Sequence, residues 1–130
     1  MIKKIAVIGT GVIGTGWIIR CLAHNFKVTA YDRDPKLKKK IIQEIRRASP
    51  FAKKLFKKKK INLKNLKYAT SLEAALKDAD FIQENATENY KIKTKLMKLI
   101  GKYAKYNAII SSSSSGLLPT KIYSKCKNPA

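Results

Sequence analysis

Ile5-Ala6-Val7-Ile8-Gly9-Thr10-Gly11-Val12-Ile13-Gly14 decides the fold of this chain. An apolar run, a G-x-G-x-x-G turn and a second apolar stretch form the local context of strand, phosphate loop and helix. Each glycine has a steric reason to be there. Gly9 permits the tight turn out of the strand. Gly11 lets bare main chain approach a pyrophosphate, and Gly14 lets the helix pack close to the sheet. The helix points its free N–H groups and positive dipole end at the anion, with Val12 and Ile13 in its first turn. Gly9, Gly11, Val12, Ile13 and Gly14 are therefore candidate dinucleotide contacts.

The second half of the fingerprint follows in register. Lys27-Val28-Thr29-Ala30-Tyr31 reads as a short strand, and Asp32 lies 21 residues after Gly11. An acid at that distance is expected to hold the ribose hydroxyls. Its carboxylate also repels a 2′-phosphate, which favours NAD over NADP, although Arg33 stands beside it. The bland alternative is a glycine turn in an unrelated α/β protein, with Asp32 as a helix N-cap.

Working outward, hydrophobic periodicity marks an alternation of strands and helices. Residues 4–8 and 27–31 are strands one and two. Residues 12–24 form a helix with Val12, Ile13, Trp17, Ile18, Cys21 and Leu22 on its apolar stripe, and Asn25 can end it in the left-handed conformation. Asp34-Pro35 opens a helix with Leu37, Ile41, Ile42 and Ile45 inward. Ser49-Pro50 is expected to break it, and residues 51–60 to form a second helix with Phe51, Leu55 and Phe56 facing the first. The pair would be a basic helical hairpin ending in the solvated Lys57–Lys60. Residues 66–69 read as strand three. Ser71 caps a short helix, and residues 80–83 are strand four. A helix from about residue 88 to 106 carries Ile92, Leu96, Leu99, Ile100 and Tyr103 at helical spacing. Residues 107–110 are strand five. The pattern predicts one domain over residues 1–130: a Rossmann-type doubly wound parallel sheet with the hairpin inserted after strand two.

Composition sets the outer bounds. The chain has 130 residues, 45% of them hydrophobic, enough for one domain with a real core. The two cysteines, Cys21 and Cys126, match no metal spacing and read as reduced thiols, so no metal site is expected. Lys3-Lys4 and the uncharged run to Ile19 mimic a secretory signal. Glycines inside the run and Arg20 where cleavage should fall argue against one, and the run is short for a membrane span. The expected location is cytoplasmic, with no membrane partner. Net charge is +21, and Lys36 to Lys60 carry twelve Lys or Arg against one acid, Glu44. Such charge raises nucleic acid as a partner, but no aromatic stacking platform accompanies the lysines. A compositional bias on solvated positions explains the excess more simply.

Ligands of such a sheet sit at the carboxyl ends of its strands. Two more segments arrive there. Glu84-Asn85-Ala86-Thr87-Glu88 follows strand four, and Ser111-Ser112-Ser113-Ser114-Ser115-Gly116 follows strand five. Glu84 and Glu88 read either as helix-start acids favoured by the dipole or as functional groups. The serine run reads either as a flexible linker or as an ordered loop facing the cleft, and its position after a buried strand favours order. His24, the single histidine, lies roughly 15 Å along the helix from the phosphate end, too far to be a base there.

Gly9-x-Gly11-x-x-Gly14-x-Gly16, Asp32, Asp80-Phe81-Ile82-Gln83-Glu84, Glu88-Asn89-x-x-x-Lys93 and Ser112-Ser113-Ser114-Ser115-Gly116-Leu117, taken in order, resemble the N-terminal NAD-binding domain of 3-hydroxyacyl-CoA dehydrogenases. The resemblance spans the whole chain. The form Ser-Ser-Ser-Ser-Gly-Leu-Leu-Pro, with Phe-Ile-Gln-Glu before it, is most similar to the carnitine 3-dehydrogenase branch. The gulonate dehydrogenase and lambda-crystallin branch is also similar. The resemblance implies oxidation of a 3-hydroxyl to a ketone with hydride transfer to NAD. The substrate would be a small molecule, either a 3-hydroxyacyl-CoA or a carnitine-like hydroxy acid. It implies that Ala86, Glu88 and Lys93 approach the cofactor near the nicotinamide ribose, and that Ser115 binds the reacting oxygen and touches the cofactor. It assigns the basic hairpin to part of CoA in the acyl-CoA members.

The family's general base is a histidine in a His-Pro-x-Asn-Pro-like stretch after a sixth strand, and a C-terminal helical domain forms its homodimer. This sequence ends at Asn128-Pro129-Ala130 without them. The expectation is a truncated cofactor domain that binds NAD without turnover.

Overall fold

Five short apolar runs become five parallel strands in a single sheet of order β3-β2-β1-β4-β5, in a computed structural model that describes residues 1–58 and 60–127. The strands are β1 (Lys4–Ile8), β2 (Lys27–Tyr31), β3 (Leu66–Tyr68), β4 (Phe81–Glu84) and β5 (Ile109–Ser112). The helices between them are α1 (Val12–Ala23), α2 (Leu37–Leu55), α3 (Leu72–Leu76), α4 (Tyr90–Tyr103) and α5 (Pro119–Ile122). β1 is central: Ile5–Ile8 pair with Val28–Tyr31 on one side and with Phe81–Glu84 on the other. The strand order reverses direction between β1 and β4, and a crevice opens at such a switch point.

The period-two geometry of β1 divides the core. Ile5 and Val7 face α1 and α2 and pack with Ile18, Leu22, Val28, Ile41 and Ile45. Ala6 and Ile8 face the opposite layer and pack with Leu76, Ile82, Met97, Ile100 and Ile110. Both layers are closed by helices, so the parallel sheet is buried on its two faces. Asn25 ends α1 at φ +63°, as its place after the apolar stripe predicts, and Ser71 Oγ caps α3 by accepting from the Ala74 N–H at 3.1 Å.

The helical hairpin is not formed. One helix, α2, runs from Leu37 through Pro50 to Leu55, and Phe51 and Leu55 are exposed to solvent rather than packed on a partner. Proline deletes one backbone hydrogen bond but cannot by itself reverse the chain. No turn residue follows it, and the burial of Ala52 keeps the last turn on the core. The reversal comes later, at Lys57 with φ +51°, and a 3₁₀ turn at Leu63–Asn65 leads into β3. Phe56 does pack inward, edge-on against His24 with ring centroids 5.6 Å apart. Lys59 and Asn128–Ala130, named in the reading above, lie outside the described residues.

Smaller shifts have local causes. Asp34 caps the turn before α2 through the Lys36 N–H at 3.0 Å, so the helix starts at Leu37. Asn89, not Glu88, caps α4 by accepting from the Ile92 N–H at 3.1 Å. The inward face of α4 is Lys93, Met97, Ile100 and Gly101, rotated from the expected stripe, and Ile92 is exposed. Gly101 lets Cys126 pack directly on the backbone of α4: a Cβ there would meet Cys126 Sγ at 2.7 Å. Strand five extends into Ser111 and Ser112, and its paired register with Gln83 and Glu84 explains why. Both cysteines are free and buried, and burial pushes the Cys21 thiol up to about 11. No helix among the described residues is long and apolar enough to cross a membrane.

Candidate cofactor site

The glycine loop meets the end of β4 at main-chain contact. Gly9 has φ +84°, and a Cβ on it would lie 2.8 Å from the Asn85 carbonyl atoms. A Cβ on Gly14 would lie 1.9 Å from the Gly9 carbonyl oxygen, so α1 rises directly against the turn. Gly11 is different: a Cβ there would meet nothing within 4 Å. The loop therefore uses two glycines for its own packing and leaves the third beside open space. Asn85 Nδ2 donates to the Ile8 and Gln83 carbonyls at 3.4 and 3.1 Å and locks the switch point.

α1 begins at Gly11 with no side-chain cap and no acid in its first turn. Its first N–H groups are left for an anion. Val12 and Ile13 were expected on the buried stripe. They are instead 93% and 60% exposed, beside those N–H groups. Asp32 ends β2 and turns toward the loop. Its Oδ2 accepts from the Thr10 N–H at 2.7 Å and the Thr10 hydroxyl at 3.0 Å, and its Oδ1 from the Asp34 N–H at 3.0 Å. Asp32 is thus not the N-cap of α2. The Tyr68 hydroxyl is buried near Thr10 and Asp32 without a completed hydrogen bond, and burial raises its pKa.

On the other side of the loop lies a polar network that no single motif marks. Lys93 Nζ donates to Glu84 Oε1 and Oε2 at 2.9 and 2.8 Å, and the two side chains are 1% and 0% exposed. Glu84 also accepts from the Ala86 N–H and from the Ser112 hydroxyl, each at 2.5 Å. Lys93 reaches a second acid, Glu88 Oε2, at 3.7 Å. Glu88 accepts in turn from the Ser114 hydroxyl at 2.5 Å and the Gly116 N–H at 3.2 Å. The Ser114 bond, aided by Gly116 and the nearby Lys93 charge, holds the Glu88 carboxyl below its ordinary pKa. Ser113 donates to Asn85 Oδ1 at 2.6 Å and accepts from Gln83 Nε2 at 2.8 Å.

The serine run is thus an ordered loop, tied by three hydroxyls to β4 and the segment after it. Ser115 sits at its exposed tip, near Glu88, with Gly116. Of the expected site residues, Gly9, Gly11, Gly14, Val12, Ile13 and Asp32 gather at the β1–β2 end. Ala86, Glu88, Lys93 and Ser115 gather at the β4–β5 end. Glu84, which like Glu88 reads from the sequence either as a helix-start acid or as a functional group and closes the stretch Asp80-Phe81-Ile82-Gln83-Glu84, is the buried partner of Lys93. His24 caps the far end of α1, away from both groups. No cluster of metal ligands occurs among the described residues.

The residues fit a dinucleotide: a bare cradle at Gly11, an uncapped helix start and an acid one strand away. Residues 4–130 match the family described as "3-hydroxyacyl-CoA dehydrogenase, NAD binding domain". The chain is 43% identical over 127 residues to L-carnitine dehydrogenase of Oceanobacillus iheyensis, covering 98% of this chain and 41% of that protein. It is 40% identical over 126 residues to the L-carnitine dehydrogenase of Staphylococcus epidermidis, covering 97% of this chain and 39% of that one. The chain thus spans about two fifths of the length of these curated relatives. Among solved structures it is similar to 3-hydroxybutyryl-CoA dehydrogenase from Escherichia coli, with TM-score 0.89, 25% identity and coverage of 99% of this chain and 28% of that one. It is also similar to (S)-3-hydroxybutyryl-CoA dehydrogenase from Ralstonia eutropha, with TM-score 0.87, 27% identity and coverage of 98% and 46%. The chain belongs to the 3-hydroxyacyl-CoA dehydrogenase NAD-binding domain family.

Proposed function

We propose that this chain is the cofactor-holding part of a dehydrogenase that oxidises a 3-hydroxyl to a ketone. One observation carries the reading: Asp32 and the Glu84–Glu88–Lys93 network flank the glycine loop from opposite sides, one strand away each. A dinucleotide whose diphosphate rests on the loop and whose one ribose meets Asp32 extends its other nucleoside over the ends of β4 and β5.

NAD, when bound, accepts the hydride. The chain's own residues would hold the cofactor and orient the substrate oxygen. The N–H groups of α1 oppose the diphosphate charge, and Asp32 exchanges its Thr10 bonds for sugar hydroxyls. Glu88 would meet the second ribose and Ala86 would line the passage between the halves, whereas the Lys93 ammonium, expected beside the cofactor, is buried on Glu84 and would act on it only by setting Glu88. The Ser115 hydroxyl, at the loop tip, holds the reacting oxygen of the substrate. The proton of that alcohol does not go to His24, which caps the wrong end of α1.

A free hydroxy acid of the carnitine type is the substrate reading that identities of about 40% to L-carnitine dehydrogenases favour over a CoA thioester. Location in the cytoplasm and a homodimeric parent accompany this reading. A nucleic-acid partner for the basic helix α2 is not favoured, and salt separates the two. Polyanion binding by lysines falls steeply with salt, whereas cofactor held by main chain does not. Titration of the chain with NADH, read by nucleotide fluorescence and thermal shift at low and high salt, tests the proposal. Absence of any signal at millimolar cofactor would overturn it.

A further inference from the structure

Three charged groups occupy the β4–β5 end of the site, and their charges do not cancel. Lys93 provides one ammonium. Glu84 neutralises it by a two-oxygen contact in a fully buried setting. Glu88 stands 3.7 Å from the same ammonium with its side chain 44% exposed, and its remaining partners, Ser114 and Gly116, are neutral. The cluster therefore presents one unbalanced negative charge on its open side. Hydrogen bonds from Ser114 and Gly116 hold that charge in place and keep the carboxyl ionised.

We infer that Glu88, set by the Glu84–Lys93 pair behind it, makes the site discriminate between oxidised and reduced cofactor. The inference rests on the reading that the nicotinamide end lies over β4 and β5. The oxidised nicotinamide ring carries a positive charge, and hydride uptake removes it. The rest of the two molecules is the same, so their contacts with Asp32 and the glycine loop are shared. A fixed negative charge near the ring attracts only the oxidised form. Glu84 cannot do this, because it is fully buried and its charge is cancelled by the Lys93 ammonium in direct contact. Glu88 is the exposed member of the cluster: its side chain is 44% exposed, and its Oε2 stops 3.7 Å short of the Lys93 ammonium that Glu84 already neutralises.

The test compares dissociation constants of the 130-residue chain for NAD and NADH, the latter by fluorescence and the former by competition. Glu88→Gln keeps an acceptor oxygen for Ser114 and Gly116 and deletes the charge. It should weaken NAD relative to NADH by about threefold or more, the size of a unit charge acting over several ångströms in a partly aqueous site. Asn89→Asp keeps the cap of α4 and adds a carboxylate next to Glu88, so it should move the ratio the other way. Ser114→Ala cuts a loop bond without changing charge and should shift both affinities together. A Glu88→Gln chain whose two affinities fall in parallel, or an Asn89→Asp chain whose ratio stays put, overturns the inference and leaves cofactor binding intact. A wild-type chain that binds neither form overturns the function proposed above as well.

Discussion

Glu84 and Lys93 form a closed ion pair through both carboxylate oxygens, at 2.9 and 2.8 Å, with neither side chain exposed. Ser112 and the Ala86 N–H fill the remaining acceptor positions on Glu84. The pair thereby joins β4, α4, β5 and the loop after β4. A buried pair of this kind gains little over a well-packed apolar substitute, yet it is costly to leave half made.

Glu84→Gln leaves a buried ammonium with only the half-exposed Glu88 3.7 Å away, and Lys93→Met strands a buried carboxylate. Each should cost about 3–5 kcal/mol and lower the thermal midpoint sharply. The double variant should cost clearly less than the two single losses added together, because it strands no charge. Urea unfolding of the four chains measures this coupling. Strict additivity would mean that the pair is not formed in solution.

The glycines separate folding from binding. Gly14→Ala puts a methyl group 1.9 Å from the Gly9 carbonyl oxygen and should destroy the loop, with loss of both stability and cofactor affinity. A Cβ at Gly11 meets no protein atom within 4 Å, so the branched side chain of Gly11→Val enters the open space beside the uncapped helix start. It should keep a near wild-type circular dichroism spectrum and melting point while abolishing the NADH signal. A Gly11→Val chain with unchanged NADH affinity would remove the phosphate from this loop.

The contrast between those two glycines was legible in the sequence, because the motif fixes main-chain geometry directly. So was the doubly wound parallel sheet, since alternating strands and helices with right-handed crossovers leave few arrangements. The failures cluster where long-range contacts override local signals. Pro50 reads as a break, yet the buried Ala52 beyond it holds the helix on the core. Lys93 lies off the apolar stripe read for α4 and is expected at the cofactor only by resemblance, yet its side chain is buried on Glu84, nine residues earlier. No spacing rule predicts that an acid ending one strand and a lysine in the following helix will be each other's only charge-matched buried partner. The serine run was legible as ordered only from its neighbours. Its register with Gln83 and Glu84 supplies the reason.

Asp32→Ala should weaken NAD and narrow the gap between NAD and NADP, because the carboxylate that holds the ribose diol also repels a 2′-phosphate. The same change frees the Thr10 N–H and hydroxyl, now both donating to Asp32, so the loop should loosen and the melting point fall slightly. Asp32→Asn retains an acceptor for Thr10 and should restore most of the stability without restoring the selectivity. Competition of NADP against bound NADH reads the first effect, and calorimetry the second. Equal selectivity in all three chains would move the ribose away from this residue.

Acid should unfold the chain through the bottom of the sheet as well as the top. Asp80 Oδ1 accepts from Lys105 at 2.6 Å, and its Oδ2 accepts from the Lys3 and Lys4 N–H groups at 2.9 Å each, which fastens β1 to the start of β4. The Lys105 bond, then the two backbone bonds, hold this carboxyl well below the usual carboxylate range. A carboxyl whose pKa is lower folded than unfolded stabilises the fold at every pH above its unfolded value of about 3.9, and that contribution drains away as pH falls toward the folded value. The thermal midpoint should therefore be flat in this respect above about pH 5 and decline below about pH 4. Asp80→Asn should lower the midpoint at neutral pH and flatten the acid limb, because the titrating group is gone. Melting curves of both chains from neutral to strongly acid pH decide the matter: parallel acid limbs would show that the Asp80 bonds contribute nothing to the pH dependence.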